Sequence, residues 1–427
     1  MTARDMDVLQ SRLSDVVKSQ RTESIALLQG LLKLPAFGNT GLGYAECASF
    51  ISKELEAAGA QVRAIQVPDA FLKKLWGDNL EKSVDYLPVK QWSPRTIVLG
   101  HWPGKGGKPT LHMTQHYDLP GFLPAVSEVS VANGKVYGPG VSRCRAGLAT
   151  MIMAAKALQT AQADLKGDLT ISATPDNHLG GESGAGFLAQ QGYGKSDLVV
   201  TGSAGGSDTI GLGFKGALWL KITTHGKAAP ASEPHRGLNA IDAMTKIQRG
   251  LFDLGQDLKS HPSTWPISPP EVRAPTLVTT QIRGGGHGVP DRCEMFIDRR
   301  INPDEHTDSA LQAIQDVVRS VQSEDERIRV EVEVVHAVEN PATPAGAPLV
   351  QTVAKNIRRV IGTEPKLAVY PFYSEFRFFP NRWGSETINY GPGLPDHLFS
   401  ESPEFVAIDD VVAATEVLAL SVLDVLG

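Results

Sequence analysis

His116 and Asp118 are the two residues of this chain whose types and spacing most directly suggest chemistry. An aspartate two positions from a histidine can accept a hydrogen bond from one ring nitrogen. That bond would orient the imidazole as a general acid or base. The pair therefore has the composition of an acid–base dyad.

Two other residue types are possible nucleophiles. Cys144 stands between Arg143 and Arg145, and two neighbouring cations favour a reactive thiolate. The alternative interpretation of Cys144 is a small buried residue, and we prefer it. Ser203 lies in the segment TGSAGG, which lacks the G-x-S-x-G turn that exposes a nucleophilic serine. Neither residue therefore defines a site by itself.

Strands that alternate with helices must position these residues. Strands with helices between them form a mostly parallel sheet that is covered on both faces. The predicted helices cover residues 7–34, 43–58, 147–162 and 184–191, and the predicted strands cover 61–67, 96–101, 109–115, 168–173 and 197–201.

The pattern changes near Gly213 and returns to alternating strands and helices after Asn340. The order between them is β-α-β-β-α-β, which is typical of a ferredoxin-like α+β sandwich. Its strands are predicted over 217–224, 276–282, 293–299 and 328–335, and its helices over 238–258 and 309–322. We therefore expect an α/β domain of residues 1–213 and 338–427 with an inserted domain of residues 214–337.

Composition excludes several classes of function. The chain has 427 residues, 41% of them hydrophobic and 21% charged, as expected for a globular protein of two domains. The net charge of -6 and the absence of a basic run argue against nucleic acid as a partner. No apolar run reaches the roughly 18 residues of a membrane span. The first residues predict an amphipathic helix rather than a signal peptide, and three cysteines suit a reducing compartment. We therefore expect a cytoplasmic protein.

Six segments, in the right order, resemble the family-twenty zinc metallopeptidases, a family that includes acetylornithine deacetylase, succinyl-diaminopimelate desuccinylase, aminoacylase and glutamate carboxypeptidase. They include counterparts of the family patterns H-x-D-x-P, T-x-D-E-E-x-G-G and D-A-R. The segments are HYDLP at 116–120, GKVYGPGVSRCRAGLA at 134–149, TPDNHLGGESGAGFL at 174–188, HGKAAPASEPHRGLNAI at 225–241, VPDRCEMFIDRRINP at 289–303 and YSEFRFFPNRWGSETINYGPG at 373–393.

The resemblance implies a site with two zinc ions, a shared water molecule and a glutamate as the general base of that water. The family's first zinc-binding histidine is His116, with Asp118 beside it. The bridging aspartate falls on Arg143, whose guanidinium repels metal and has no lone pair to offer. The general base falls on Asn177, which cannot accept a proton. We therefore expect no dinuclear zinc chemistry and no metal cofactor.

The remaining ligand positions are changed as well. The carboxylate ligand beside the base falls on His178, the next carboxylate on Ser203 and the final histidine on Ser400. One alternative is a single zinc ion held by His116, His178 and His397, because His397 lies three residues before Ser400. The other interpretation of His397 is an exposed loop residue.

The segments that would bind substrate are better preserved. Arg377 and Glu375 match the arginine and aspartate of the family's D-A-R segment, where relatives bind the carboxylate of their substrate. The candidate catalytic residues are His116, Asp118, His178, Arg143 and Asn177, and the candidate substrate-binding residues are Arg377, Glu375, Tyr373, Ser203, Asn239, Ser400 and His397.

The resemblance also makes the inserted domain a lid that pairs two copies of the chain, so we expect a homodimer. Pro230 stands where relatives have a histidine that often reaches the partner's site. His225 and His235 are out of register with that histidine. Asp298 and Arg300 are expected to form an ion pair within the lid.

Three functions remain open. The first is a metal-independent enzyme acting on a small amide- or carboxylate-bearing molecule, such as an acyl amino acid or short peptide, by hydrolysis, acyl transfer, cyclisation or elimination. It is favoured because the altered positions carry functional side chains rather than Ala or Gly. The second is a non-catalytic protein that binds a peptide-like ligand. The third is a mononuclear zinc amidohydrolase that uses the histidines.

Overall fold

The structure is a computed structural model that describes residues 3–38, 41–76, 94–120, 128–202, 205–372, 374–393 and 404–427. Four of the predicted substrate-binding residues lie outside these ranges: Ser203, Tyr373, His397 and Ser400. The chain divides into two compact units. The first consists of Met1–Leu212, Thr343–Leu367 and Ser374–Gly427, and the second of Gly213–Ala342 and Ala368–Tyr373. The second unit is thus slightly longer than the expected 214–337.

Helices and strands follow one another along both units of the chain. The helices are α1 Ala3–Ser19, α2 Arg21–Leu32, α3 Tyr44–Ala57, α4 Asp69–Trp76, α5 Ala146–Thr160, α6 Phe187–Gln191, α7 Ala240–Leu258, α8 Thr307–Glu324, α9 Pro348–Ile361, α10 Phe378–Trp383 and α11 Ile408–Leu426. The strands are β1 Gln61–Gln66, β2 Thr96–Trp102, β3 Leu111–His116, β4 Ser130–Ala132, β5 Lys135–Tyr137, β6 Leu169–Thr174, β7 Leu198–Thr201, β8 Thr209–Phe214, β9 Gly216–His225, β10 Thr276–Gly284, β11 Arg292–Ile301, β12 Arg329–Val338, β13 Lys366–Tyr370, β14 Glu386–Asn389 and β15 Phe405–Ala407. None of the helices in the described ranges has the length and apolarity that a membrane span requires.

The central sheet of the first unit has eight strands in the order β1-β2-β6-β3-β7-β14-β8-β13. Strands β6, β3, β7 and β14 are neighbours and run parallel, whereas β1, β2 and β8 pair antiparallel. Every side chain of β3 and β6 is buried, as expected for strands covered on both faces. A second, antiparallel sheet has the order β15-β5-β4. The predicted mixed, mostly parallel α/β fold is confirmed.

Helix α5 covers the sheet and leads directly into the candidate site. Its small apolar residues are buried almost throughout, which lets the backbone pack closely. An added Cβ at Gly147 would lie 1.9 Å from the carbonyl oxygen of Gly202, so only glycine fits at this contact. The helix is preceded without a break by the wider helical turn Val141–Arg145. This turn therefore stands at the end of a rigid, buried element.

The second unit has the order β9-α7-β10-β11-α8-β12, which confirms the predicted ferredoxin-like arrangement. Its four strands are antiparallel and lie in the order β10-β11-β9-β12. Alternate side chains of β9 and β11 are buried against α7 and α8, so one face of the sheet and both amphipathic helices form a single core. Asp298 and Arg300 form the expected ion pair, at 2.8 Å.

His112 is a fully buried histidine in the middle of the first unit, on β3. Its Nδ1 lies 2.8 Å from the carbonyl oxygen of Gly194 and therefore donates, while Nε2 lies 2.7 Å from the hydroxyl of Ser172. Burial lowers the pKa of His112 from 6.5 to about 4, and the bond to Gly194 offsets only part of this effect. The folded protein therefore holds this imidazole neutral.

We expect the free energy of unfolding to fall as the pH drops from about 6.5 towards 4, by at most about 3 kcal/mol from this residue. Below pH 6.5 the unfolded chain binds a proton that folded His112 rejects, so this contribution is complete above that pH. Denaturant unfolding at several pH values should give a shallower slope for His112→Asn, whose amide can still donate to Gly194. His101→Asn, on the neighbouring strand, is the control. Parallel slopes for wild type and His112→Asn would contradict the assignment.

Candidate active site

The candidate site lies at the carboxyl ends of the parallel strands. His116 is the last residue of β3, and its neighbour across the ladder is Thr174, the last residue of β6. In open α/β sheets the loops at this edge form the usual ligand crevice. Asp118 and the turn Asn177–Leu179 follow directly after these two strands.

The ring of His116 is fixed by Asp118. Its Nδ1 lies 3.1 Å from Oδ1 and 3.2 Å from the backbone oxygen of Asp118, and both of these atoms can accept a hydrogen bond. Nδ1 therefore carries the proton, and Nε2 keeps a free lone pair. Burial alone would lower the pKa of His116, but the hydrogen bond and charge of Asp118, with the charge of Glu375, raise it above 6.5. The predicted dyad is thus formed by direct contact.

Asp118 is itself held by backbone amides. The N–H of Asn177 donates to Oδ1 at 2.9 Å, and the N–H of His178 donates to Oδ2 at 3.0 Å. Burial would raise the pKa of Asp118, but the hydrogen bond and charge of His116, together with His178, lower it to about 2. The carboxylate is therefore ionised, and both of its oxygens are occupied.

His178 faces His116 across the site. The two ring centroids are 5.2 Å apart and the ring planes meet at 89°. Burial, together with the charges of His116 and Arg143 and against the opposing effect of Asp118, lowers the pKa of His178 to about 3. Its Nε2 is a buried atom that has no hydrogen-bond partner among the residues that the structure describes. Such an atom is costly to leave unsatisfied, which points to a ligand or water at this place.

Arg143 lies in the turn before α5 and is joined to Glu404. Glu404 accepts hydrogen bonds from the backbone N–H groups of Gly140, Ser142 and Arg143 at 2.9–3.1 Å, and its Oε2 lies 3.6 Å from Nε of Arg143. A carboxylate on these amides stabilises the start of the helix. The same pair keeps a cation close enough for its charge to act on His178.

Cys144, the next residue, is fully buried in a small apolar cluster with Phe37 and Leu119. Burial raises the pKa of its thiol above the usual value, despite the charge of Arg145. The idea that neighbouring cations favour a thiolate is therefore wrong, because desolvation outweighs them. The preferred interpretation, a small buried residue, is confirmed.

Glu375 and Arg377 lie in the short turn Glu375–Arg377 before α10, and the charge of Glu375 acts on His116. Glu375 is fully buried, accepts a hydrogen bond from the hydroxyl of Thr174 at 2.9 Å and has its pKa raised by burial. Within the described part of the chain, its Oε1 is buried without a hydrogen bond. Arg377 donates to the backbone oxygens of Ser374 at 3.0 Å and Gly180 at 2.7 Å, so its guanidinium joins two loops. Substrate binding by either residue stays a prediction.

The chain matches the profile of Peptidase family M20/M25/M40 over residues 114–424, which is well over half of its length. It belongs to this family. Its relatives include an uncharacterized metallohydrolase of Methanocaldococcus jannaschii, 24% identical over 81% of this chain and 86% of that protein. The succinyl-diaminopimelate desuccinylase of Paracoccus denitrificans is 25% identical over 66% of this chain and 72% of its own length.

Solved structures of the M20 family have the same fold. The aminopeptidase PepT of Bacillus cereus superposes with a TM-score of 0.72 at 17% identity, covering 95% of this chain and 98% of that one. A metallo-carboxypeptidase of Sulfolobus solfataricus superposes with a TM-score of 0.67 at 17% identity, covering 94% and 99%. The family match thus confirms the resemblance noted in the sequence, and the solved structures confirm the fold.

The possible metal ligands of this M20 chain differ from the ligand set of the family's zinc pair. Across the described ranges, one group of residues, His116, Asp118 and His178, offers ligand atoms within 4.8 Å of one another. The carboxylate of Asp118 already accepts three hydrogen bonds, so the two imidazoles offer the more available ligand atoms. The charge of Arg143 also acts on His178. Within the described ranges these ligand residues are fewer than a zinc pair requires.

The remaining candidate residue, Asn239, lies in the second unit. Its side-chain oxygen accepts the N–H of Ile241 at 2.9 Å and so caps the start of α7. Sequence reasoning missed a buried ion pair between Arg95 and Asp176, at 3.0 Å. Asp176 lies inside the segment TPDNH and could have been found there, whereas Arg95 carries no motif that marks it.

Proposed function

We propose that this M20 chain is a metal-independent enzyme that acts on an amide bond of a small carboxylate-bearing molecule, such as an acyl amino acid or a short peptide. The observation that carries the proposal is the imidazole of His116, whose Nδ1 is held by an ionised Asp118 and whose Nε2 is left basic. The family supports amide hydrolysis, and the relatives include a desuccinylase and a deformylase.

In the proposed hydrolysis, Nε2 of His116 accepts a proton from the attacking water and later returns it to the leaving nitrogen. Asp118 stabilises the charged ring that forms between these steps. Arg143 is the permanent cation of the site and is assigned to the developing oxyanion, the task that zinc performs in relatives. Asn177 and His178 line the same site, and the buried Nε2 of His178 is available to the substrate or the water.

The seven residues predicted from the sequence to bind substrate keep that role in the proposal. They are Arg377, Glu375, Tyr373, Ser203, Asn239, Ser400 and His397. Acyl transfer, cyclisation and elimination would use the same acid–base pair as hydrolysis. All three cysteines are unpaired and buried, which supports a reducing compartment such as the cytoplasm.

A mononuclear zinc amidohydrolase is the second candidate. It is favoured by the close approach of His116 and His178 and by the unsatisfied Nε2 of His178. Two imidazoles leave the ion short of the three protein ligands that catalytic zinc sites use. The nearby charge of Arg143 opposes a dication. We therefore prefer the metal-independent site.

Activity on a panel of N-acyl amino acids and dipeptides tests the proposal. We expect a turnover that excess chelator leaves unchanged, and that falls by about 100-fold or more in His116→Gln, because the general base is lost. Arg143→Lys should lower kcat more than it raises KM, since a guanidinium aimed at the oxyanion acts in the transition state. His235→Gln, on the second unit, is the control.

Loss of turnover in chelator, restored by zinc, would contradict the proposal and favour the mononuclear site. Tight binding of a panel compound without turnover, equal in wild type and His116→Gln, would instead favour a non-catalytic binding protein.

We also propose that the second unit is a lid that pairs two copies of the chain. Its edge strand β10 exposes Val278 and Ile282, and the neighbouring α7 exposes Phe252, each by about half of its surface. Apolar side chains on an unpaired edge strand favour association. The fold supports this role, since M20 enzymes pair through the corresponding domain.

Light scattering after gel filtration should give twice the chain mass of 45.8 kDa for wild type. Val278→Asp with Ile282→Asp should give a monomer, because charged side chains would be buried in the contact. Val335→Asp, on the opposite edge strand β12, should remain dimeric. A monomeric wild type, or dissociation only by Val335→Asp, would contradict this interface.

A further inference from the structure

Arg95 is a fully buried cation that lies outside every segment resembling the family. Its Nε lies 3.0 Å from Oδ2 of Asp176, and its Nη2 donates to the backbone oxygen of Gly38 at 3.1 Å. The guanidinium also lies 5.3 Å from the ring centre of Tyr44. One side chain thus joins two segments that are distant in sequence.

Asp176 needs this support because of its backbone. Its φ of 65° and ψ of 24° place it in the left-handed region, which residues with a side chain seldom adopt. The hydroxyls of Tyr44 and Ser183 donate to its carboxylate, each at 2.6 Å, in addition to Arg95. Its own carbonyl accepts the N–H groups of Leu179 and Gly181. The carboxylate contacts therefore hold the conformation from which the turn Asn177–Leu179 starts.

The turn Asn177–Leu179 provides the hydrogen-bond donors on one side of the Asp118 carboxylate. The N–H groups of Asn177 and His178, the two residues directly after Asp176, are those that bind the Asp118 carboxylate. A rotation of the Asp176 backbone would turn both donors away from the carboxylate oxygens. Arg95 is thus one contact removed from the amides that fix Asp118.

The segment around Gly38 also passes close to the Asp118 carboxylate. The N–H of Gly38 donates to the oxygen of Leu119, and the N–H of Leu119 donates to the oxygen of Ala36. A Cβ added at Gly38 would lie 3.5 Å from Oδ2 of Asp118, so this backbone passes close to the carboxylate. Arg95 therefore binds both segments between which Asp118 lies.

We propose that Arg95 is a positioning residue of the active site: by holding Asp176 and Gly38 together, it fixes the Asp118 carboxylate and, through it, the orientation and proton position of the His116 ring. The effect on catalysis rests on the proposed function, but the effect on the ring does not. A role in stability alone predicts that loss of Arg95 weakens the fold and leaves the His116 ring unchanged.

The imidazole nitrogens distinguish the two roles without a substrate. Long-range proton–nitrogen NMR of labelled protein reports which nitrogen of His116 carries the proton, at a pH high enough for a neutral ring. In wild type we expect the Nδ1–H form. In Arg95→Gln we expect a mixture of the two tautomers, and in Arg95→Lys, which can still pair with Asp176, a return most of the way to Nδ1–H.

Arg145→Gln is the matched control. Arg145 is also a fully buried arginine, but it donates to Sγ of Cys47 and to the backbone oxygen of Leu34 rather than to Asp176. We expect this variant to lose stability while His116 keeps the Nδ1–H form. If Arg95→Gln does not fold, the double variant Tyr44→Phe, Ser183→Ala decides the question, since it removes two other donors to the Asp176 carboxylate and should also give a mixture of tautomers.

The proposal would be overturned if every folded variant of Arg95, Tyr44 and Ser183 gave the same Nδ1–H signals of His116 as the wild type. The same change in Arg145→Gln as in Arg95→Gln would also overturn it, because any buried arginine would then suffice. A changed ring in a protein that turns over none of the compounds tested would support the positioning role and reject only the proposed function.

Discussion

The carboxylate of Asp118 is the contact on which the candidate site depends. It accepts the Nδ1 proton of His116 and the backbone amides of Asn177 and His178, so one charged group fixes elements that follow two different strands. Full burial makes these bonds strong and makes the loss of any partner costly. The position of the His178 backbone follows from the same group, and the His178 ring lies 5.2 Å from the ring of His116.

Charge balance is the physical basis of the proposed metal-independent site. A buried carboxylate must be paired with a cation or hydrogen bonds, or it takes up a proton. Zinc provides much of the positive charge in zinc-dependent relatives. Here three guanidinium groups, two of them fully buried, lie among three buried carboxyl groups and one that is partly exposed. The guanidinium groups belong to Arg95, Arg143 and Arg145, and the carboxyl groups to Asp118, Asp176, Glu375 and Glu404.

The fold and the contact of His116 with Asp118 were predictable because both follow from patterns of neighbouring residues in the sequence. Alternating burial in β9 and β11 and the small residues of α5 follow from side-chain size and polarity. The spacing of His116 and Asp118 sufficed to predict their contact. The thiol of Cys144 was different, since desolvation depends on what surrounds it in three dimensions. Arg95 was unpredictable for the same reason, because its partners lie 57 and 81 positions away.

The metal content of the protein tests the central claim most directly. Elemental mass spectrometry of protein purified without chelator and without added metal should find less than about a tenth of an equivalent of any transition metal, since two imidazoles beside an arginine bind a dication poorly. About one equivalent of zinc, lost in His178→Ala, would contradict this account and establish the mononuclear site. Two equivalents would mean that other residues of the chain complete a zinc pair.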